Sequence, residues 1–129
     1  MQKEITIVKC QYRLNATQWE TNLDDNAFEA LVKNLKSEYE RYGIKIHYFI
    51  DEEILLEVGG YADLLNTVRL RSPQDHISNL CLGHVIGKSA NCDLLEDLQR
   101  ALSRVAFAPE MIEPEGSHKI VCHNCGCGC

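Results

Sequence analysis

The fold class depends on residues 44–58, which have the sequence IKIHYFIDEEILLEV. Isoleucine or an aromatic residue recurs at every second position from 44 to 50, and a second apolar run at 54–58 follows the acidic triplet Asp51-Glu52-Glu53. A period of two residues is typical of a strand, because successive side chains point to opposite faces. We therefore predict two antiparallel strands, with the acidic triplet as the hairpin turn.

Helical patterns flank this segment. Residues 26–42 have apolar side chains at helical spacing, Asn26 and Glu29 make a capping-box pattern, and Gly43 is a C-terminal stop. A short helix is predicted from Tyr61 through Val68, ending before Pro73. A third helix is predicted for residues 91–105, with Asn91 as its cap.

Two further segments complete the map. Residues 4–14 are rich in β-branched residues and are predicted to form a first strand, whereas residues 76–87 fit a strand and a helix equally well. Because the predicted hairpin is antiparallel, we expect an α+β protein, a small two-layer sandwich of about three helices on a mixed or antiparallel sheet. This sandwich, for which a split βαβ arrangement is one candidate, fits the pattern better than a doubly wound parallel sheet.

Composition limits the classes of partner. The chain has 129 residues, a formal net charge of -6 and 45% hydrophobic residues. The acidic balance and the lack of a Lys/Arg run argue against nucleic acid and anionic membranes as partners. No apolar stretch is long enough for a membrane span, and the first residues do not have the order of a signal peptide. We expect a cytoplasmic protein.

The cysteines are unevenly distributed. Of seven, four fall in the last eight residues, and an odd count fits a reducing compartment better than a disulfide framework. Two prolines and three glutamates fill residues 108–117. The expected organisation is an α+β domain at 1–107, a Pro/Glu linker at 108–117 and a Cys-rich metal-binding tail at 118–129, with a short strand at 119–121.

The tail has the spacing C-x2-C-x-C-x-C, formed by Cys122, Cys125, Cys127 and Cys129. Four thiolates suit one zinc ion or one iron–sulfur cluster, and soft thiolates also select Cu(I). Gly126 and Gly128 allow the chain to fold back between the thiols. His118 and His123 are possible additional ligands. The sequence thus predicts a metal or iron–sulfur centre used in cofactor handling, transfer or sensing.

Other functions use the same cysteines. Cys122 and Cys125 have the C-x2-C spacing of dithiol oxidoreductases, so a thiol redox or sulfur-relay protein is an alternative. No helix follows the pair to lower a thiol pKa, which counts against it. A regulatory module with structural zinc and a thiol-rich end without specific function are further alternatives. We expect a binding protein rather than an enzyme, with a protein partner that donates or receives metal, cluster or sulfur. Two chains could share one centre as a homodimer.

The remaining cysteines have a simpler explanation. Cys81, His84 and Cys92 could form a second metal set, but buried cysteine is a common small core residue and His84 lies on an apolar face. Cys10 lies within the predicted first strand and has the same default role. Whether any of these four residues joins the tail site is left open by the sequence.

Overall fold

The fold was analysed in a computed structural model, which describes residues 3–14, 25–58, 61–87 and 93–112. These residues form four strands and four helices: β1 (Lys3–Leu14), α1 (Asp25–Glu40), β2 (Ile44–Val58), α2 (Tyr61–Asn66), β3 (Val68–Ser72), β4 (Ile77–Cys81), α3 (Leu82–Ile86) and α4 (Leu94–Phe107). Two short 3-10 turns lie at Pro73–Asp75 and Pro109–Met111. The predicted tail strand at 119–121 lies outside the described residues.

The strands form one mixed sheet in the order β2-β1-β3-β4. β1 and β2 are parallel, with α1 as the connection between them, whereas β3 is antiparallel to both β1 and β4. The prediction of an α+β fold with a mixed sheet is therefore confirmed. The split βαβ arrangement is wrong, because β1 and β2 are direct hydrogen-bonded neighbours.

The predicted hairpin at 44–58 is also wrong, since the whole segment is the single strand β2. Cys10 lies opposite Asp51, but the next residue, Gln11, lies opposite Leu55, so residues 52–54 are extra residues on β2. Such a bulge lets a strand take up extra residues without reversing direction. Glu52 and Glu53 are exposed there, as they would be in a turn, whereas Asp51 is half-buried.

Other boundaries differ from the prediction for related reasons. The short helix ends at Asn66, and the next residues form β3 (Val68–Ser72) because residues 68–71 pair with β1. The ambiguous segment contains both elements, strand β4 followed at once by α3. α4 begins after Asp93, whose carboxylate accepts hydrogen bonds from the N–H groups of Leu95 and Glu96. Gly43 has φ of 74°, the conformation expected of the predicted helix stop.

All four helices contribute to one hydrophobic core on a single face of the sheet. Ile5 and Ile7 of β1 point into this core, and Phe28 of α1 is fully buried against it. The alternate residues of the strands form the opposite side of the sheet, which we call the polar face; among its members are Thr6, His47, Arg69 and Arg71. No helix in the described part of the chain is long and apolar enough to cross a membrane.

Candidate functional site

The predicted ligands lie outside the described residues: His118, Cys122, His123, Cys125, Cys127 and Cys129. The last described residues, which precede this segment in the chain, are held against the domain. Ile112 packs against the core, and the Lys3 ammonium donates to the carbonyl oxygens of Val105 and Ala106 at 2.6 and 3.2 Å. The C-terminus of α4 is therefore held against the first residue of β1.

Aromatic side chains surround this point. The ring centroid of Phe107 lies 5.8 Å from that of Tyr39 and 5.3 Å from that of Tyr42, both in edge-to-face contact. Tyr39 is buried, but Tyr42 and Phe107 are 61% and 53% exposed. The last turn of α4 is thus attached to the end of α1 by ring contacts whose outer side faces solvent.

The two described body cysteines are fully buried, and neither forms a disulfide. Arg69 of β3 pairs with Val8 on one side and with Cys81 on the other, and Cys10 follows Val8 by two residues on the same face. Two strand spacings of about 4.8 Å and two residue rises of about 3.3 Å separate Cys10 from Cys81 by roughly 12 Å. This separation is too long for a disulfide between them or for a single ion bound by both.

The surroundings of Cys10 also make it a poor ligand. Burial raises the pKa of its thiol, and the neighbouring Asp51 carboxylate acts in the same direction against the lowering effect of Arg69 and Arg71. Because the thiolate is the form that binds metal and attacks electrophiles, a raised pKa leaves Cys10 protonated at neutral pH. Cys10 therefore fits the role of a small buried residue expected from the sequence, although it lies on the polar face and not in the main core cluster.

The second predicted set was Cys81, His84 and Cys92. Cys81 ends β4, and His84 follows within α3, 5% exposed. Cys92 lies outside the described residues. Within residues 3–14, 25–58, 61–87 and 93–112, no group of three His, Cys, Asp or Glu side chains is arranged to hold a metal ion.

A charged side chain, that of Lys9, lies on the core side of the sheet and was not predicted there. Lys9 is 9% exposed and follows Ile5 and Ile7 on the core side of β1. Its ammonium lies 3.3 Å from an Asp25 carboxylate oxygen, 5.3 Å from the ring centroid of Tyr12 and 5.7 Å from that of Phe28. A carboxylate and two aromatic faces stabilise a cation that has lost most of its water. The alternation of residues along β1 is enough to place Lys9 on the core side, so its position could have been predicted from the sequence.

Tyr48 of β2 lies beside this group, with its ring centroid 6.0 Å from that of Phe28. Its hydroxyl is buried and has no hydrogen-bond partner in the part of the chain that is described. Burial, with the nearby Glu29 and Asp25 carboxylates, raises the pKa of Tyr48 to about 12. The phenol therefore remains neutral throughout the physiological range and has no charge to offer a ligand.

The side chains near Lys9 thus form a stabilising cluster, and the cysteines of the described domain are buried and far apart. The thiols with ligand spacing are those of the last eight residues. Comparison of the chain with protein-family models, with curated proteins and with solved structures found no match.

Proposed function

We propose that this protein binds a soft metal ion or an iron–sulfur cluster through Cys122, Cys125, Cys127 and Cys129, and that it acts in the handling, transfer or sensing of that cofactor. The observation that carries the proposal is the presence of four thiols within eight residues, separated by Gly126 and Gly128. Four soft ligands at one place match the coordination number of zinc and of a cluster.

The cysteines of the described domain support the assignment of the proposed site to the tail cysteines. Cys10 and Cys81 are buried in the sheet about 12 Å apart by strand geometry, so they do not compete as a chelating pair. Among the described residues, the core extends as far as Val105, and Ile112 packs against it.

The identity of the cofactor follows from measurable properties. An iron–sulfur cluster absorbs visible light, whereas zinc and Cu(I) bound to thiolates do not. If fewer than four cysteine thiolates bind the cofactor, His118 or His123 is the expected replacement ligand. The expected partner is a protein that donates or receives the metal or cluster. If two chains share one centre, the cofactor content is one per two chains.

The test is metal analysis with visible absorption spectroscopy on the full chain purified without oxygen. The variant with all four tail cysteines changed to Ser should lose the bound metal, whereas the matched double variant Cys10→Ala, Cys81→Ala should retain it. A colourless and metal-free wild-type protein with four titratable tail thiols contradicts the proposal. Retention of metal by the tail variant contradicts it equally.

A sulfur relay is the second candidate, favoured by the C-x2-C spacing of Cys122 and Cys125. Mass spectrometry of the intact chain separates the two functions. A relay carries persulfide or disulfide on particular tail cysteines, whereas a metal site protects them from alkylation only while it is loaded. A structural zinc differs again, because its removal should lower the melting temperature by several degrees.

A further inference from the structure

We propose that the outer edge of β2 pairs antiparallel with the same edge of a second copy of this chain, around a two-fold axis at Tyr48. β2 is the first strand of the sheet order and, among the described residues, has only β1 as a partner strand. An edge strand offers a row of unpaired N–H and C=O groups that another strand can use. The bulge at 52–54 ends the regular stretch, which leaves residues 44–51 for pairing.

The charges along this stretch are complementary to their own reverse. Lys45 and His47 lie in its first half, and Asp51 lies at its end, followed by Glu52 and Glu53. A two-fold axis at Tyr48 places Lys45 opposite the partner subunit's Asp51. Both side chains lie on the polar face by strand alternation, so they form a cross-strand ion pair that occurs twice by symmetry. A parallel pairing in register would place like charges together instead.

A groove beside this edge accommodates the partner's apolar side chains. The groove has a volume of about 490 Å³ and lies between α1 and the start of β2, lined by Lys36, Glu40 and residues 43–47. The same axis places the partner subunit's Ile50 opposite Ile46, on the side of the sheet that faces α1. Ile50 is 44% exposed and Ile46 is buried, so pairing removes an exposed isoleucine from water beside Ile44 and Ile46, the two apolar residues of the groove.

The number of residues in the proposed interface indicates how tightly the two copies bind each other. About seven residues from each chain take part, fewer than the roughly 20–30 per side of a standard stable interface. We therefore expect a dissociation constant in the micromolar range. Residues 44–51 contain no cysteine, so the proposed pairing needs neither a metal ion nor a disulfide.

The test is sedimentation velocity of the full chain over about 1–300 μM, with a thiol reductant and a chelator present to exclude disulfide and metal links. The wild type should shift from monomer to dimer across this range. Lys45→Glu should weaken dimerisation about tenfold or more, because two ion pairs become two like-charge pairs. Ile50→Lys should weaken it similarly.

Two controls make the result specific. Glu38→Lys makes a charge reversal of the same size on an exposed position of α1 on the opposite side of the helix from Lys36 and Glu40, and should leave the dissociation constant within about twofold of wild type. Asp51→Lys introduced into Lys45→Glu should restore dimerisation, because the ion pairs are rebuilt with opposite polarity. A monomer at every concentration overturns the proposal, and so does a dimer that Lys45→Glu and Ile50→Lys leave unchanged.

Discussion

Replacing Tyr48 by Phe should stabilise the protein. The Tyr48 hydroxyl is buried without a hydrogen-bond partner among the described residues, while its ring packs on Phe28. A buried polar group without a partner costs about 1–3 kcal/mol, and Phe keeps the ring while removing that group. Because the side chain is only partly buried, we expect the lower end, a gain of about 1 kcal/mol in the free energy of unfolding. For a domain of this size that is about 4 °C in melting temperature.

The assay is urea unfolding followed by far-ultraviolet circular dichroism, with Tyr39→Phe as the matched control. Tyr39 is also packed into the core, but its hydroxyl shares a hydrogen bond with Ser103. Loss of that bond should lower the free energy of unfolding by about 1 kcal/mol. The two Tyr→Phe changes therefore have opposite signs. A loss of stability in Tyr48→Phe comparable with that in Tyr39→Phe refutes the reasoning.

The same hydroxyl gives a pH dependence of known sign. Its pKa is about 12 in the folded protein, against the ordinary tyrosine value of 10 in the unfolded chain, so the phenol is neutral in both states below pH 10. Above pH 10 the unfolded chain loses its proton first, which favours unfolding. At pH 11 this amounts to about 1.4 kcal/mol. The stability advantage of Tyr48→Phe should therefore grow by about that amount between pH 8 and pH 11, and an unchanged advantage contradicts the raised pKa.

Two further substitutions test the packing. Asp93→Ala removes the carboxylate that caps α4 and should lower the free energy of unfolding by about 1 kcal/mol in urea titration, whereas Asp93→Asn should retain most of it. An equal loss in both variants argues against capping. Phe28→Ala removes a fully buried ring that contacts Tyr48 and the Lys9 ammonium, and should cost about 3–5 kcal/mol by the same titration. A loss below about 1 kcal/mol contradicts the central position of Phe28 in the core.

The elements predicted well from the sequence are those specified by local signals. Helix α1 combines apolar side chains at helical spacing with the stop at Gly43, and β1 has a run of β-branched residues. The predicted extent of helix α4 is nearly right, although its cap is Asp93 rather than Asn91. In each case the signals that predict the element come from residues close to one another in the sequence.

The hairpin prediction failed because strand direction depends on distant partners. Ile44 pairs with Lys3, some 40 residues earlier in the chain, and nothing within residues 44–58 reports that pairing. The acidic triplet is compatible with a turn and with an exposed bulge, since both leave the carboxylates in water. The helix predicted to run on to Val68 fails for a similar reason, because the pairing of residues 68–71 with β1 outweighs the local pattern.

For the candidate site, local sequence spacing is the source of the prediction, and long-range pairing is not. The four tail cysteines are predicted to be ligands from their spacing alone, which needs no long-range information, and this stays a prediction because they lie outside the described residues. The role of Cys10 and Cys81 required the sheet register, which separates them by two strands. Lys9 was open to prediction, since the alternation of Ile5, Ile7 and Lys9 places it on the core side, but its stabilisation by Asp25 depends on where α1 begins.

The most direct test of the central claim is native mass spectrometry of the full chain purified without oxygen, compared with the double variant Cys125→Ser, Cys127→Ser. The proposal predicts that the wild type carries the additional mass of one metal ion or one cluster per chain, or per two chains if the centre is shared. The variant should appear without that mass. A wild-type chain with no added mass, or an equal addition on both proteins, would contradict a metal centre formed by the tail cysteines.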